Sequence, residues 1–248
     1  MIVTRIVEKD GMVQVYVSAG EFSMGLDSGW DNEKPMHTVD LGGYWIDQTE
    51  VTNAQYTLCV AAGSCMEPLD FSSQTSDRFK DSLYANHPVV FVDWNQAKDY
   101  CTWAGRQLPT EAEWEKAARG TDERIYPWGS NFDGKKVNYC DINCWGNWKD
   151  ISYDDGYATT SPVGTYQHEG ASPYGALDMA GNAYEWVFDW SGLYTWGFQR
   201  NPTGPASGTE HILRGGSWGD DIYHIRTVIR SDEPPDFRVD FIGFRCAR

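Results

Sequence analysis

Residues 120–175 carry no sustained repeat of apolar positions, neither every second residue nor every 3.6, and are instead rich in Gly, Asn, Asp, Tyr and Trp. A stretch of that kind reads as long ordered loops, and ordered loops of such length need an internal fastener. The rest of the chain agrees: 12 Trp, 14 Tyr, 10 Phe and 25 Gly combine large rigid rings with permissive backbone, which favours turns over long helices. With 248 residues, 41% of them hydrophobic, the chain can fill one large core. No internal repeat, low-complexity block or linker marks a second unit, so a single domain over residues 1–248 is expected.

Three helix starts are legible as a side-chain oxygen at the N-cap followed three residues later by Glu or Gln. They are Thr52-Asn53-Ala54-Gln55, Asp93-Trp94-Asn95-Gln96 and Thr110-Glu111-Ala112-Glu113. Apolar residues follow on one face each time, and the helices are expected to end near Gly63, Gly105 and Gly120. Strand-like runs lie at 13–17, 22–25, 43–46, 89–92 and 242–246. Helices and strands do not alternate, so a doubly wound parallel sheet is disfavoured and an α+β class is expected.

Composition also excludes partners. A net charge of −16 with no Lys/Arg cluster would repel a phosphate backbone, so nucleic acid is not expected. No apolar run approaches the roughly 20 residues of a membrane helix, and residues 1–5 lack the apolar core of a secretory signal. Cysteines stand at 59, 65, 101, 140, 144 and 246. If all are oxidised, the near pairs Cys59 with Cys65 and Cys140 with Cys144 leave Cys101 and Cys246 to each other; a zinc site is a weaker reading, since no Cys-x-x-Cys occurs. Disulfides point to an oxidising or extracellular setting. His37, His87, His168 and His211 are scattered without paired acids or cysteines, and structural roles are expected for them.

Blocks along nearly the whole chain carry a family resemblance. They include Ala19-Gly20-Glu21-Phe22-Ser23-Met24-Gly25, Arg106-Gln107-Leu108-Pro109-Thr110-Glu111-Ala112-Glu113-Trp114-Glu115, Tyr126-Pro127-Trp128-Gly129, Asp178-Met179-Ala180-Gly181-Asn182-Ala183-Tyr184-Glu185-Trp186, Leu213-Arg214-Gly215-Gly216-Ser217-Trp218 and Gly243-Phe244-Arg245-Cys246. In these blocks the chain resembles the formylglycine-generating-enzyme (sulfatase-modifying factor) family. The resemblance implies a C-type-lectin-like fold with little regular structure, and it implies that Cys101 pairs with Cys246.

It further implies two structural calcium sites. One would use side chains of Asn138 and Asp155 with carbonyls of Tyr139 and Tyr157; the other would use Asn182 and Glu185 with carbonyls of Ala180, Gly181 and Ala183. Such mixed neutral and carboxylate oxygen sets suit calcium and would clamp loops. The family's enzymes hold copper(I) with two cysteines shortly after the Gly-Gly-Ser motif, and copper(I) prefers thiolates. Here Trp218 is followed by Gly219-Asp220-Asp221-Ile222-Tyr223-His224-Ile225 without a cysteine, so neither copper nor catalysis is expected.

Residues 219–241 hold a different pattern. Between the fixed positions Arg226, Arg230, Pro235, Ile242 and Gly243, the residues Gly219, Asp220, Asp221, Tyr223, His224, Val228, Ser231, Asp232, Asp236, Phe237, Val239, Asp240 and Phe241 follow no period of either regular element. Their types are a contact palette, rigid aromatics for area and small polar groups for adaptability. The pattern resembles the variable proteins of diversity-generating retroelements, whose C-type-lectin fold ends in a segment diversified at adenine-rich codons. That resemblance implies a non-catalytic protein presenting these thirteen residues to an unknown ligand, expected to be a protein. The alternatives are an oxidoreductase with a divergent site, or an accessory domain of a larger signalling protein.

Overall fold

The computed structural model describes residues 2–69, 78–167 and 169–248. All three predicted helices form: α1 (Asn53–Ala61), α2 (Trp94–Trp103) and α3 (Glu111–Arg119). Each opens with the expected capping box, in which Thr52, Asp93 or Thr110 accepts an N–H three residues on and the Gln or Glu there reaches back. Two free donors are thereby satisfied at each start.

Among the described residues, ten short strands make three sheets. The first joins β1 (Thr4–Ile6), β2 (Val13–Val17) and β5 (Tyr44–Asp47), all antiparallel. The second joins β3 (Gly20–Met24), β4 (His37–Leu41) and β7 (Gln199–Arg200), the last pair parallel. The third has the order β10-β6-β8-β9, from β6 (Tyr184–Trp190), β8 (His211–Arg214), β9 (Ser231–Glu233) and β10 (Ile242–Phe244), with β10 parallel to β6. Sequence reading missed β6 and β8 for a physical reason. Five of the seven residues of β6, its first four among them, and all four of β8 are buried, which erases the in-out alternation of a one-sided strand.

The expected strand at 89–92 does not form. Only an isolated bridge links Thr52 to Pro88, and Phe91 sits at φ 59°, where extended pairing cannot continue.

One core cluster packs α1 and α2 against β6 and β10, with Tyr56 and Tyr100 stacked at 5.5 Å and Phe244 edge-on to both. A second gathers the first two sheets around α3, with Trp114 and Val187 at its centre. All six cysteines pair, as Cys59–Cys65, Cys101–Cys246 and Cys140–Cys144. The second bond ties α2 to the end of the chain across 145 residues of sequence. Among the described residues of 120–175 the only helical turn is Gly134–Lys136, and Tyr126, Val137 and Tyr139 fasten the loops by packing on Ala180 and Ile225. No helix among the described residues is long and apolar enough to cross a membrane. Three disulfides fit an oxidising or extracellular setting.

Candidate functional site

Arginines fix the backbone of residues 214–238 to distant carboxylates. Arg214, fully buried, meets Glu111 at 3.1 Å and Glu115 at 2.6 Å, and also holds the carbonyls of Thr227 and Val228. Arg226 grips both oxygens of Glu33 at 3.1 and 2.7 Å. Arg230 grips both oxygens of Glu111 at 2.6 and 2.9 Å and donates to the carbonyls of Asn32 and Gly192. Arg238 pairs with Asp93 at 2.8 Å. Burial alone would raise the pKa of Glu111, but Arg230 and Arg214 outweigh it and lower it. Paired guanidinium–carboxylate geometry of this kind is directional, so it sets register as well as position.

Between these anchors the side chains divide. Tyr223 is 62% exposed and Phe237 is 36% exposed, and Asp236 is exposed as well. Gly219, His224, Ser231, Asp232 and Asp240 are half-buried, the serine and Asp232 lying on the edge strand β9. Asp220 and Asp221 shape the turn: Asp220 accepts from the N–H and hydroxyl of Ser217, and Asp221 accepts from the N–H groups of Tyr223 and His224 and faces His224 Nδ1 at 2.7 Å. Three expected surface residues depart from that role. Val228 is fully buried, while Val239 and Phe241 pack against the first core cluster, Phe241 with its ring 6.4 Å from that of Tyr184. Their apolar side chains face inward because Phe91 donates to the Val239 carbonyl and Tyr184 to that of Phe241, fixing both to the core.

The segment has two arms with different neighbours. Residues 218–224 lie beside the Cys140–Cys144 loop, through bonds from Cys140 N–H to the Asp220 carbonyl and from Trp148 Nε1 to the Gly219 carbonyl. Residues 235–239 lie over the start of α2, where Trp94 N–H donates to Pro235. Trp218 links the arms by donating to the Asp240 carbonyl at 3.3 Å. Trp148, Asp150 and Ile222 were not singled out from sequence. The close Cys140–Cys144 pair just before the Gly- and Trp-containing residues 145–148 was the signal available for the first two.

The two expected calcium sets differ. In the first, Asn138 is buried and its Oδ1 has no hydrogen-bond partner, while Asp155 N–H donates to the buried Asp141 at 2.6 Å and brings two acids together. Asn138 Oδ1 is thus a buried acceptor left without a partner, a feature that suits a hard cation, while the two Asp155 oxygens accept from the Tyr157 N–H and the Tyr166 hydroxyl. In the second, both oxygens of Glu185 are held by Arg245 at 2.7 Å, one also by Trp114. Asn182 Oδ1 already accepts from Asn138 and Ser161, so this set, with the carbonyls of Ala180, Gly181 and Ala183, does not fit a cation as arranged. Glu50 and Asp178 complete that buried cluster, and burial followed by the charge of Asp178 pushes Glu50 well above the usual carboxylate range.

Outside the 219–241 segment, the described histidines His37, His87 and His211 make structural contacts. His211 is sandwiched between Trp94 and Trp190 at 3.8 and 3.7 Å, and burial pushes its pKa down to about 4. His37 meets the Pro35 carbonyl and His87 meets Thr160. His168 lies outside the described residues.

The sulfatase-modifying factor enzyme 1-like domain family matches residues 4–248. The chain is 40% identical to a formylglycine-generating enzyme of Thermomonospora curvata, over 94% of this chain and 92% of that one. It is 31% identical to the inactive C-alpha-formylglycine-generating enzyme 2 of Mus musculus, over 94% and 84%. Treponema denticola variable protein 1 shares the fold, with a TM-score of 0.75 and 23% identity over 100% of this chain and 98% of that chain. The α+β, C-type-lectin-like expectation agrees with these similarities.

Proposed function

Because the chain belongs to the sulfatase-modifying factor enzyme 1-like domain family yet carries no cysteine in the segment Gly219–Ile225 that follows Trp218, we propose that it is a non-catalytic recognition protein. Its ligand would be a protein, met by the exposed residues of 219–241, in the manner of a diversity-generating-retroelement variable protein. One observation carries this reading: buried arginines hold the segment's backbone to Glu33, Glu111 and Asp93 while Tyr223, Asp236 and Phe237 point to solvent. Side chains there can change without disturbing what holds the chain. All six cysteines are in disulfides, which leaves no thiolate for copper(I).

The reading as an enzyme with a divergent site is favoured by 40% identity to a relative named for formylglycine generation. A relative named as inactive supports loss of activity within the family. We also propose one structural calcium, held by Asn138, Asp155 and the carbonyls of Tyr139 and Tyr157, as a clamp on residues 138–157.

The test is genomic. A near-identical repeat of codons 213–248 beside the gene, differing at adenines and accompanied by a reverse transcriptase, is expected; its absence would overturn diversification. Oxidation of a cysteine peptide by the copper-supplied protein would overturn the non-catalytic reading.

A further inference from the structure

The surface around Tyr223 continues onto a loop that the variable-looking segment does not contain. A cleft of about 240 Å³ runs between the turn after Trp218 and the Cys140–Cys144 loop, walled by Tyr139, Trp148, Asp150, Asp221, Ile222 and Tyr223. Trp148 is 62% exposed, and Trp145 and Ile151 nearby in the loop are 76% and 72% exposed. Large apolar side chains left in water beside one another form an exposed patch.

Trp148 is nevertheless fixed. Its indole N–H donates to the Gly219 carbonyl at 3.0 Å, and its ring lies so close over Gly146 that a Cβ there would come within 2.6 Å of it. The loop that carries it, residues 140–150, is closed by the bond from Asp150 N–H to the Cys140 carbonyl, braced at its start by the Cys140–Cys144 disulfide, and bonded to the turn through Cys140 N–H to the Asp220 carbonyl. Asp150 is oriented in turn by Tyr139 Oη at 2.8 Å and by Ser152 N–H. A held aromatic loses little freedom on binding, which is what distinguishes a built contact from a merely exposed ring.

We propose that this cleft receives a cationic side chain, arginine or lysine, of a protein partner, with Trp148 and Tyr223 as its aromatic walls and Asp150 and Asp221 as its acids. This inference rests on the recognition reading above and names the chemistry of part of that contact. The argument is charge and shape together: two exposed ring faces attract a cation, carboxylates complete the match, and a net charge of −16 draws basic partners over a distance. Trp148 and Asp150 lie outside 219–241, so they supply a constant feature beside the changeable one.

The test is a titration of ¹⁵N-labelled protein with N-acetyl-arginine amide, N-acetyl-lysine amide and the neutral N-acetyl-citrulline amide, following the indole resonance of Trp148, assigned by its loss in W148F. Saturable shifts with one or both cations, absent with citrulline and lost in D150N/D221N, are expected; the stronger of the two identifies the side chain. No shift, or equal shifts with citrulline, would overturn the proposal. Selection of binders from a displayed protein library separates it from the broader reading. Binders lost with F237A but indifferent to W148A and D150N would keep recognition and discard this cleft. A cation shift accompanied by no binder sensitive to Tyr223 or Phe237 would keep the cleft and discard the wider surface.

Discussion

Arg230 holds both carboxylate oxygens of Glu111, at 2.6 and 2.9 Å, and so ties the segment before β9 to the first turn of α3. Both side chains are almost wholly buried, so each charge depends on the other for its solvation. Replacing Arg230 with Met should lower stability by about 3–5 kcal/mol, because it takes from the buried Glu111 its bidentate partner and leaves Arg214 and the Tyr194 hydroxyl on one oxygen alone. Chemical denaturation measures it. Adding Glu111→Gln to the same chain should recover part of the loss.

The Cys101–Cys246 bond spans 145 residues of sequence and Cys59–Cys65 spans 6. Loop-closure entropy grows with that length, so Cys101→Ser/Cys246→Ser should cost about 5 kcal/mol and Cys59→Ser/Cys65→Ser about 2 kcal/mol. Urea midpoints of the two double variants should therefore fall in that order.

Asp189 is buried, and burial together with the charge of Glu111 raises its pKa to about 8. An acid raised on folding is protonated in the native state while the unfolded chain releases its proton from about pH 4 upward. Its contribution is therefore complete below pH 4 and is lost progressively as pH rises to about 8. Asn in its place can still accept from Glu111 N–H, which now bonds Asp189 at 2.8 Å. Tm of the wild type relative to Asp189→Asn should consequently decline between pH 5 and pH 8, and a flat difference would contradict the burial.

Saturating calcium should raise Tm of the wild type and leave that of Asp155→Ala unchanged, since ligand that binds only the native state stabilises it. Glu185→Gln should destabilise with or without calcium, because its oxygens serve Arg245 rather than a cation. Differential scanning calorimetry with calcium and with chelator decides both.

What could be read from the sequence was whatever is written locally. Thr52, Asp93 and Thr110 announce their helices because a capping box is complete within four residues. The exposed Tyr223 and Phe237 were legible from residue type and lack of period. The inward turn of Val228, Val239 and Phe241 was not, since it depends on a sheet and a helix brought from elsewhere in the chain. For the same reason the partners of the arginines were hidden: Glu33 lies 193 residues from Arg226, and Glu111 lies 119 from Arg230. Trp148 was legible as an aromatic shortly after a close cysteine pair, but its neighbour Gly219 was not.

The central claim, a buried frame carrying a free surface, is tested most directly by a saturation scan of residues 219–241 that measures folded protein on a cell surface. Arg226, Val228 and Arg230 should tolerate almost no substitution, whereas Tyr223, Asp236 and Phe237 should accept nearly all with changes within about 0.5 kcal/mol. Intolerance at Tyr223 and Phe237 equal to that at Val228 would make them part of the core and contradict the account.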